Sequence, residues 1–145
     1  MSDIMIIYHS DTGNTKALAE LVAEGARSVS GTNVSMVAAG AVEVDAAASA
    51  DALGIGSPDY FSYVAGEVKA FFDKILYDKR FKGKPCVCFG THGGGGKVLA
   101  VAETLAGHCK LKQVAPGLMT KGVPAGDDVE KARALGKALA EAAGG

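Results

Sequence analysis

The fold is decided by one stretch of the sequence, Tyr8-His9-Ser10-Asp11-Thr12-Gly13-Asn14-Thr15. It follows the apolar run of residues 4–8, and such a run predicts a strand buried on both faces of a parallel sheet. Within the stretch, Gly13 permits a tight turn, and Ser10 or Asn14 can cap a helix that begins near Thr15. The sequence therefore predicts a strand, a hydroxyl-rich loop and a helix in direct succession.

The loop between this strand and this helix has two interpretations. A helix start presents unpaired N–H groups and the positive end of its dipole, so small hydroxyl residues placed there form a pocket for a phosphate. The same residues are also typical of a strand-to-helix turn that binds no ligand. The loop by itself favours neither interpretation, and the rest of the chain has to decide.

The composition is that of a globular protein. The 145 residues are 48% hydrophobic and 21% charged, which is enough apolar material for a core. Because the formal net charge is -1 and Lys and Arg are scattered along the sequence, a nucleic-acid-binding surface has no support. No apolar run approaches the roughly 18 residues of a membrane-spanning helix, and no cleavage site follows the first apolar run. We expect a single domain over residues 1–145 and a cytoplasmic location.

Strand-like and helix-like segments alternate along the whole chain. After the first strand, further strands are predicted at residues 34–37, 52–56, 86–89 and 111–119, the last interrupted near Pro116-Gly117. Helices are predicted near residues 15–26, 44–50, 68–76, 98–105 and 129–139, the last capped by Asp127 or Asp128. This alternation predicts an α/β fold, a doubly wound five-stranded parallel sheet with helices on both faces.

Two further loops carry unusual residues. The third strand stops at Ser57-Pro58, and the loop Asp59-Tyr60-Phe61-Ser62-Tyr63 holds more aromatic residues than a short connection needs. The fourth strand ends in Gly90-Thr91-His92-Gly93-Gly94-Gly95-Gly96, and four consecutive glycines are costly in entropy unless a flat ligand approaches the backbone. The aromatic residues could instead cap the core, and the glycines could form a flexible surface loop. Because all three loops follow parallel strands, we expect them at one edge of the sheet, where ligands bind in such folds.

The three cysteines show no metal-ligand spacing. Cys86 and Cys88 are two residues apart in a predicted strand, so they point to the same face, and Cys109 stands alone. We interpret all three as buried, reduced thiols rather than as redox or metal-binding groups.

Several phosphate-handling motifs can be excluded by pattern. No G-x-G-x-x-G follows the first strand, and the glycine run is not a P-loop because Lys97 is followed by Val98 instead of Ser or Thr. A phosphoacceptor receiver domain would have an acidic pair after the first strand and an aspartate after the third. Those places hold His9-Ser10 and Gly56-Ser57.

A family resemblance rests on all three loops. Residues 10–15, Ser-Asp-Thr-Gly-Asn-Thr, resemble the phosphate loop of the flavodoxins, Ser/Thr-x-Thr-Gly-x-Thr, at the same place after the first strand. Residues 56–61 and 91–96 look more like the second and third flavin loops of the flavodoxin-like NAD(P)H:quinone oxidoreductases. The resemblance covers essentially the whole chain and implies a flavodoxin-like sheet with strand order 2-1-3-4-5. The chain departs from typical flavodoxins in having no Trp and a nearly neutral charge.

What the resemblance implies is an FMN site. The hydroxyl residues and the backbone N–H groups around Gly13 would hold the phosphate, with Lys16 nearby in sequence. Tyr60 or Phe61 would stack on the isoalloxazine ring, the backbone of residues 91–95 would approach its pyrimidine edge, and His92 would lie near its polar rim or face water. The cofactor-binding residues implied in this way are Ser10, Asp11, Thr12, Gly13, Asn14, Thr15, Ser57, Pro58, Asp59, Tyr60, Phe61, Thr91, His92, Gly93, Gly94 and Gly95.

Three functions remain open at this stage. The favoured one is an FMN-binding electron carrier that shuttles electrons between redox partner proteins, a reductase and an acceptor, since no extra segment is available to build a substrate pocket. The second is an FMN-dependent NAD(P)H:quinone oxidoreductase, an enzyme class that often completes its site across a subunit interface. The third is a ligand-binding module without redox chemistry. We expect neither a metal nor a catalytic side chain, and the oligomeric state stays open.

Overall fold

The computed structural model describes residues 1–144, which form six strands and five α-helices. The strands are β1 (Ser2–Tyr8), β2 (Thr32–Ala38), β3 (Ala52–Pro58), β4 (Pro85–His92), β5 (Lys112–Gln113) and β6 (Leu118–Lys121). The helices are α1 (Asn14–Arg27), α2 (Val44–Ser49), α3 (Gly66–Ile75), α4 (Val98–His108) and α5 (Asp127–Gly144). Two short 3₁₀ segments, Ala39–Ala41 and Lys79–Phe81, lie between these elements.

All strand pairs of the sheet are parallel, and the strand order is β2-β1-β3-β4-β5, with β6 also paired to β4. The predicted order 2-1-3-4-5 is therefore confirmed. Tyr8 is in register with Gly56, and Pro58 with Thr91, so the chain leaves β1, β3 and β4 at the same edge of the sheet.

The last predicted strand consists of two separate strands. Lys112 of β5 pairs with Pro85 at the start of β4, and Leu118 of β6 pairs with Phe89 further along it. Between them, Pro116 has no N–H to donate to the ladder, so the pairing is interrupted. The sheet thus has six strands rather than five, although both pieces follow the predicted path.

Several predicted boundaries shift slightly. The first helix begins at Asn14, so Asn14 lies inside it rather than capping it. The last helix begins at Asp127, which places Asp127 and Asp128 in its first turn, where their charges still favour the helix dipole. The third strand continues through Ser57 to Pro58, because these two residues still pair with β4.

Two hydrophobic cores lie on the two faces of the sheet. Ile4 and Ile6 face α1 and α5, whereas Met5 and Ile7 face the opposite core that α3 and α4 complete. Both sets alternate along β1, which explains why its sequence is continuously apolar. Cys86, Cys88 and Cys109 are all free and buried, as the sequence predicted.

Glycines allow α1 and α5 to pack in close contact. A Cβ added at Gly25 would lie 1.8 Å from the carbonyl oxygen of Arg133, and one added at Gly136 would lie 1.8 Å from that of Val22. Because α1 starts directly after the hydroxyl-rich loop, this packing also determines where that loop sits. Within residues 1–144, no helix combines the length and the apolar character needed to cross a membrane.

Candidate functional site

Three loops meet at the carboxyl edge of the sheet. We call residues 9–13, 59–65 and 93–97 the first, second and third loops; they follow β1, β3 and β4. The N–H of His9 donates to the carbonyl of Gly56 at 3.2 Å, and the N–H of Asp59 donates to the carbonyl of Thr91 at 2.8 Å. These hydrogen bonds join neighbouring strand ends, so the expected convergence of the three segments is confirmed.

Ser10 shapes the first loop from within. Its hydroxyl oxygen accepts hydrogen bonds from the N–H of Gly13 at 3.1 Å and from that of Lys16 at 3.2 Å. Gly13 itself takes the left-handed conformation, with φ of 94°, which a residue with a side chain rarely adopts. Ser10 therefore caps the start of α1. It is one of the two capping residues that the sequence predicted, the other being Asn14.

Free backbone donors surround this turn. Within residues 1–144, the N–H groups of Asp11, Thr12, Asn14 and Thr15 donate to no protein acceptor. Such groups remain unpaired at the start of a helix, where the dipole is also positive. The turn therefore has the donors that an anion needs: Asp11 and Thr12 are exposed, Asn14 is half-buried, and Thr15 is buried.

The hydroxyl of Thr15 makes a hydrogen bond inside the protein. Thr15 and Thr91 are both buried, and their hydroxyl oxygens lie 2.7 Å apart in a hydrogen bond that joins α1 to β4. The hydroxyl of Thr15 thus already has one partner in the protein, and its predicted contact with a phosphate stays a prediction.

The second loop contains a tight turn made without glycine. Tyr60 and Tyr63 exchange backbone hydrogen bonds of 2.9 and 3.1 Å, and the two residues between them, Phe61 and Ser62, have φ of 57° and 64°. Two successive positive φ values are the signature of a type I′ turn. The ring of Phe61 stands fully exposed at its tip.

Tyr60 points inward, toward the first loop. Its hydroxyl donates to the carboxylate of Asp11, and its ring meets that of His9 edge-on at a centroid distance of 5.9 Å. Burial, together with the bond to Asp11, raises the pKa of Tyr60 to about 12. The same bond, with a further one from His9, lowers the pKa of Asp11.

His9 and Glu67 were not among the predicted cofactor-binding residues, although His9 lies in the predicted first loop. The His9 ring lies between two carboxylates, 3.2 Å from Asp11 through Nε2 and 3.3 Å from Glu67 through Nδ1. His9 directly follows the first strand, and Glu67 lies in the first turn of α3. The place of His9 directly after the first strand was the only sign in the sequence that it belongs to the site. Its pairing with Glu67 could not be seen there, because the two residues are 58 positions apart.

Ser57 and Asp59 hold the second loop in place. The fully buried hydroxyl of Ser57 accepts from the N–H of Ala65 and donates to the carbonyl of Pro58, both at 2.8 Å. The carboxylate of Asp59 accepts from the N–H of Lys97 at 2.9 Å. Their side chains are therefore engaged with the protein, and the assignment of Ser57 and Asp59 as cofactor-binding residues stays a prediction.

The third loop presents bare backbone beside unpaired polar atoms. A Cβ added at Gly93 or Gly94 would meet no atom within 4 Å, so the protein leaves open space there. Among the residues that the structure describes, Nδ1 of His92 and the hydroxyl of Thr120 are buried without a hydrogen-bond partner. Thr120 was not predicted from the sequence. The signal in the sequence that could have found it is its place directly after the last predicted strand; in the structure it is in register with Thr91.

Comparison with known proteins identifies the family. The model of the flavodoxin domain matches residues 5–97, well over half of the chain. The chain belongs to the flavodoxin family. The matched range of this flavodoxin-family chain includes all three loops and ends at Lys97, whereas Thr120 lies outside it.

Relatives differ in length and in name. A flavodoxin of Aquifex aeolicus is 41% identical over 98 residues, which are 66% of this chain and 53% of that protein, so the chain spans about half the length of this relative. A protein of Archaeoglobus fulgidus named NAD(P)H dehydrogenase (quinone) is 29% identical over an alignment of 188 positions, which covers 99% of this chain and 98% of that protein. The solved structure of an archaeal flavodoxin superposes with a TM-score of 0.91 at 24% identity and covers 99% of both chains. The flavodoxin-like fold is therefore established.

Proposed function

We propose that this chain binds FMN at the edge formed by the three loops and passes electrons between redox partner proteins. The observation that carries the proposal is the set of unpaired N–H groups at the start of α1, beside an exposed aromatic turn and a bare glycine backbone. A phosphate fits the first feature, and a flat ring fits the other two. Membership of the flavodoxin family supports the same ligand.

The phosphate would be held mainly by the backbone. The free N–H groups of Thr12, Asn14 and Thr15 would donate to its oxygens, with the hydroxyl of Thr12 and the side chain of Asn14 close by. Lys16 is exposed in the first turn of α1 and would add a positive charge. Ser10 would act indirectly, because its hydroxyl already shapes the loop.

The ring would lie between the second and third loops. We assign the stacking role to Phe61, because its ring packs on no other part of the protein, whereas Tyr60 is tied to Asp11. The backbone of residues 93–95 would approach the opposite edge of the ring, and the unpaired Nδ1 of His92 would be available for one of its polar atoms. When bound, FMN supplies the redox chemistry, and these residues orient it and limit its contact with water.

The direct test is spectroscopic. Purified protein should show flavin absorption bands. The apoprotein should bind FMN at least about 100-fold more tightly than riboflavin, since even two of the three charge-assisted hydrogen bonds to the phosphate contribute roughly 3 kcal/mol. A colourless protein that takes up neither compound would contradict the proposal and favour a ligand-binding module without redox chemistry. Equal affinity for the two compounds would contradict the assignment of the first loop.

A second function is favoured by one observation. The Archaeoglobus relative named NAD(P)H dehydrogenase (quinone) covers almost the whole of this chain. Rapid steady-state reduction of a quinone by NADH or NADPH would identify an enzyme of that class. If the flavin is instead reduced only through a separate reductase, the electron carrier is supported.

We further propose that residues 1–145 act as one domain in the cytoplasm. The single sheet carries a core on each of its faces, which supports one folding unit. The three cysteines are free and buried, as suits a reducing compartment.

A further inference from the structure

A dense group of cations lies at the opposite edge of the sheet. Residues 79–84 and 110–112 contain six Lys and Arg residues and no Asp or Glu, although the chain as a whole has a net charge of -1. We call these two segments the basic patch. The first segment holds four of the six cations, and the second, far from it in the sequence, adds two more.

Hydrogen bonds bring the two segments together. The N–H of Gly83 donates to the carbonyl of Lys110 at 2.8 Å, and the N–H of Lys112 donates to the carbonyl of Lys84 at 2.9 Å. Both contacts lie where β4 and β5 begin, whereas the three loops lie where the parallel strands end. A partner bound to the basic patch would therefore leave the three loops accessible.

Most of the charge in the basic patch is not neutralised. Four of its cations are exposed and, in the part of the chain that the structure describes, pair with no carboxylate: Lys79, Lys82, Lys110 and Lys112. Arg80 differs, because it is held by Asp45 and Asp78. Because these four cations share one edge of the sheet and lack a neutralising carboxylate within residues 1–144, an anionic surface would be attracted to the patch.

An apolar groove adjoins these cations. It lies between α3 and α4 and has a volume of about 330 Å³. Its apolar lining includes Phe72, Leu76 and Leu105, and its polar lining consists of His108 and the ion-paired Lys69 and Asp73. Tyr77 forms part of its wall and is 92% exposed. The groove reaches Cys109, the residue before Lys110. An apolar centre beside a charged rim is the usual arrangement of a protein–protein interface.

We propose that the basic patch and this groove dock an acidic protein, which places an apolar side chain in the groove. A membrane surface fits less well, because the groove is concave and Tyr77 is the only exposed large hydrophobic residue of the groove and the patch. A nucleic acid also fits less well. The single Arg of the patch is held by two carboxylates, and beside Tyr77 only the imidazole of His108 is an exposed ring of the groove.

The test uses the full chain and a synthetic helical peptide rich in glutamate, with leucines at helical spacing. Amide NMR signals of the basic patch and the groove should shift on titration, while those of residues 9–13 stay unchanged. The double variant Lys82→Glu/Lys110→Glu should bind the peptide at least tenfold more weakly. The matched variant Lys131→Glu/Lys137→Glu, which reverses two exposed charges on α5, should bind as the parent does.

The groove is tested separately from the charge. Replacing the peptide's leucines by serine should weaken binding to the parent chain at least tenfold. In the Tyr77→Ala variant, the difference in affinity between the leucine peptide and the serine peptide should be smaller. Equal losses in the two charge-reversal variants would overturn the proposal, as would tighter binding of phosphatidylglycerol vesicles or duplex DNA at the same salt concentration. FMN uptake by the same variants is measured in parallel, so a failure here is distinguishable from a failure of the FMN site.

Discussion

Asp59 and Lys97 join the second loop to the third, because a carboxylate oxygen of Asp59 accepts a hydrogen bond from the backbone N–H of Lys97 at 2.9 Å. The same oxygen lies 3.2 Å from the N–H of Val98, at the start of α4. The other oxygen accepts from the N–H of Ser62 at 2.8 Å, inside the tight turn. One side chain therefore holds the aromatic turn and caps the helix that follows the glycines.

Removing this carboxylate should loosen both loops. We expect Asp59→Ala to lower the free energy of unfolding by about 1 kcal/mol, the usual cost of losing a helix cap, and to weaken FMN binding. Urea unfolding of the apoprotein and a fluorescence titration with FMN measure the two effects. Glu20→Ala removes an exposed carboxylate from α1 and serves as the control. If the two variants behave alike, Asp59 does not have this role.

The two hydroxyls that form the buried hydrogen bond between Thr15 and Thr91 should be energetically coupled. Thr15→Val and Thr91→Val each leave one buried hydroxyl unpaired, at a cost of about 1–3 kcal/mol in the free energy of unfolding. The double variant leaves none unpaired, so its loss should be smaller than the sum of the single losses. A double-mutant cycle by urea unfolding measures the difference, and strict additivity would show that the hydroxyls do not interact.

The alternation of strands and helices and the meeting of the three loops could be predicted from local patterns, whereas the strand order was implied by the family resemblance. The run of residues 4–8 indicates a strand, the hydroxyl loop indicates a helix start, and parallel strands bring their carboxyl ends to one edge. The interruption near Pro116 was also visible. Its result, two short strands that pair with different parts of β4, depends on register, which local patterns do not specify.

The sequence could not predict which polar side chains of the loops are hydrogen-bonded within the protein. Ser57, Asp59 and Thr15 have the side chains of ligand-binding residues, yet each is engaged by a group from a distant part of the chain or from its own turn. Which partner a polar side chain finds depends on distances of a few ångströms between loops. The positive φ values of Phe61 and Ser62 were equally hidden, because neither residue is a glycine.

The turn in the second loop should gain stability from a glycine. Ser62 has φ of 64°, where a residue with a Cβ is strained by roughly 1–2 kcal/mol. Since glycine also loses more entropy on folding, we expect Ser62→Gly to raise the free energy of unfolding by about 0.5–1 kcal/mol. Ser49→Gly, at an exposed helical serine, should instead lower it by about 0.5 kcal/mol. Thermal unfolding of the two variants should therefore shift in opposite directions.

The phenol of Tyr60 should ionise at a higher pH than that of an ordinary tyrosine. Because burial and the bond to Asp11 raise its pKa to about 12, its phenol should stay protonated through the range in which an ordinary tyrosine ionises. A pKa that is higher in the folded state gives stability that is fully present below pH about 10 and is lost as the pH rises toward 12. The ultraviolet difference between the parent chain and Tyr60→Phe isolates this titration. Asp11→Asn should move it to lower pH, and an unchanged curve would show that Asp11 does not contribute.

Gly136 and Gly107 offer a matched test of how α1 is positioned. A Cβ at Gly136 would overlap the carbonyl of Val22, whereas one at Gly107 would meet nothing within 4 Å. In α4, Gly107→Ala should raise the free energy of unfolding by up to about 1 kcal/mol, because alanine favours a helix. In α5, the same change at Gly136 should lower it by about 1–3 kcal/mol, since α1 and α5 must move apart. That movement displaces the first loop at the start of α1, so FMN affinity should fall for Gly136→Ala and stay constant for Gly107→Ala. If affinity falls equally in both variants, the contact between α1 and α5 does not position the loop.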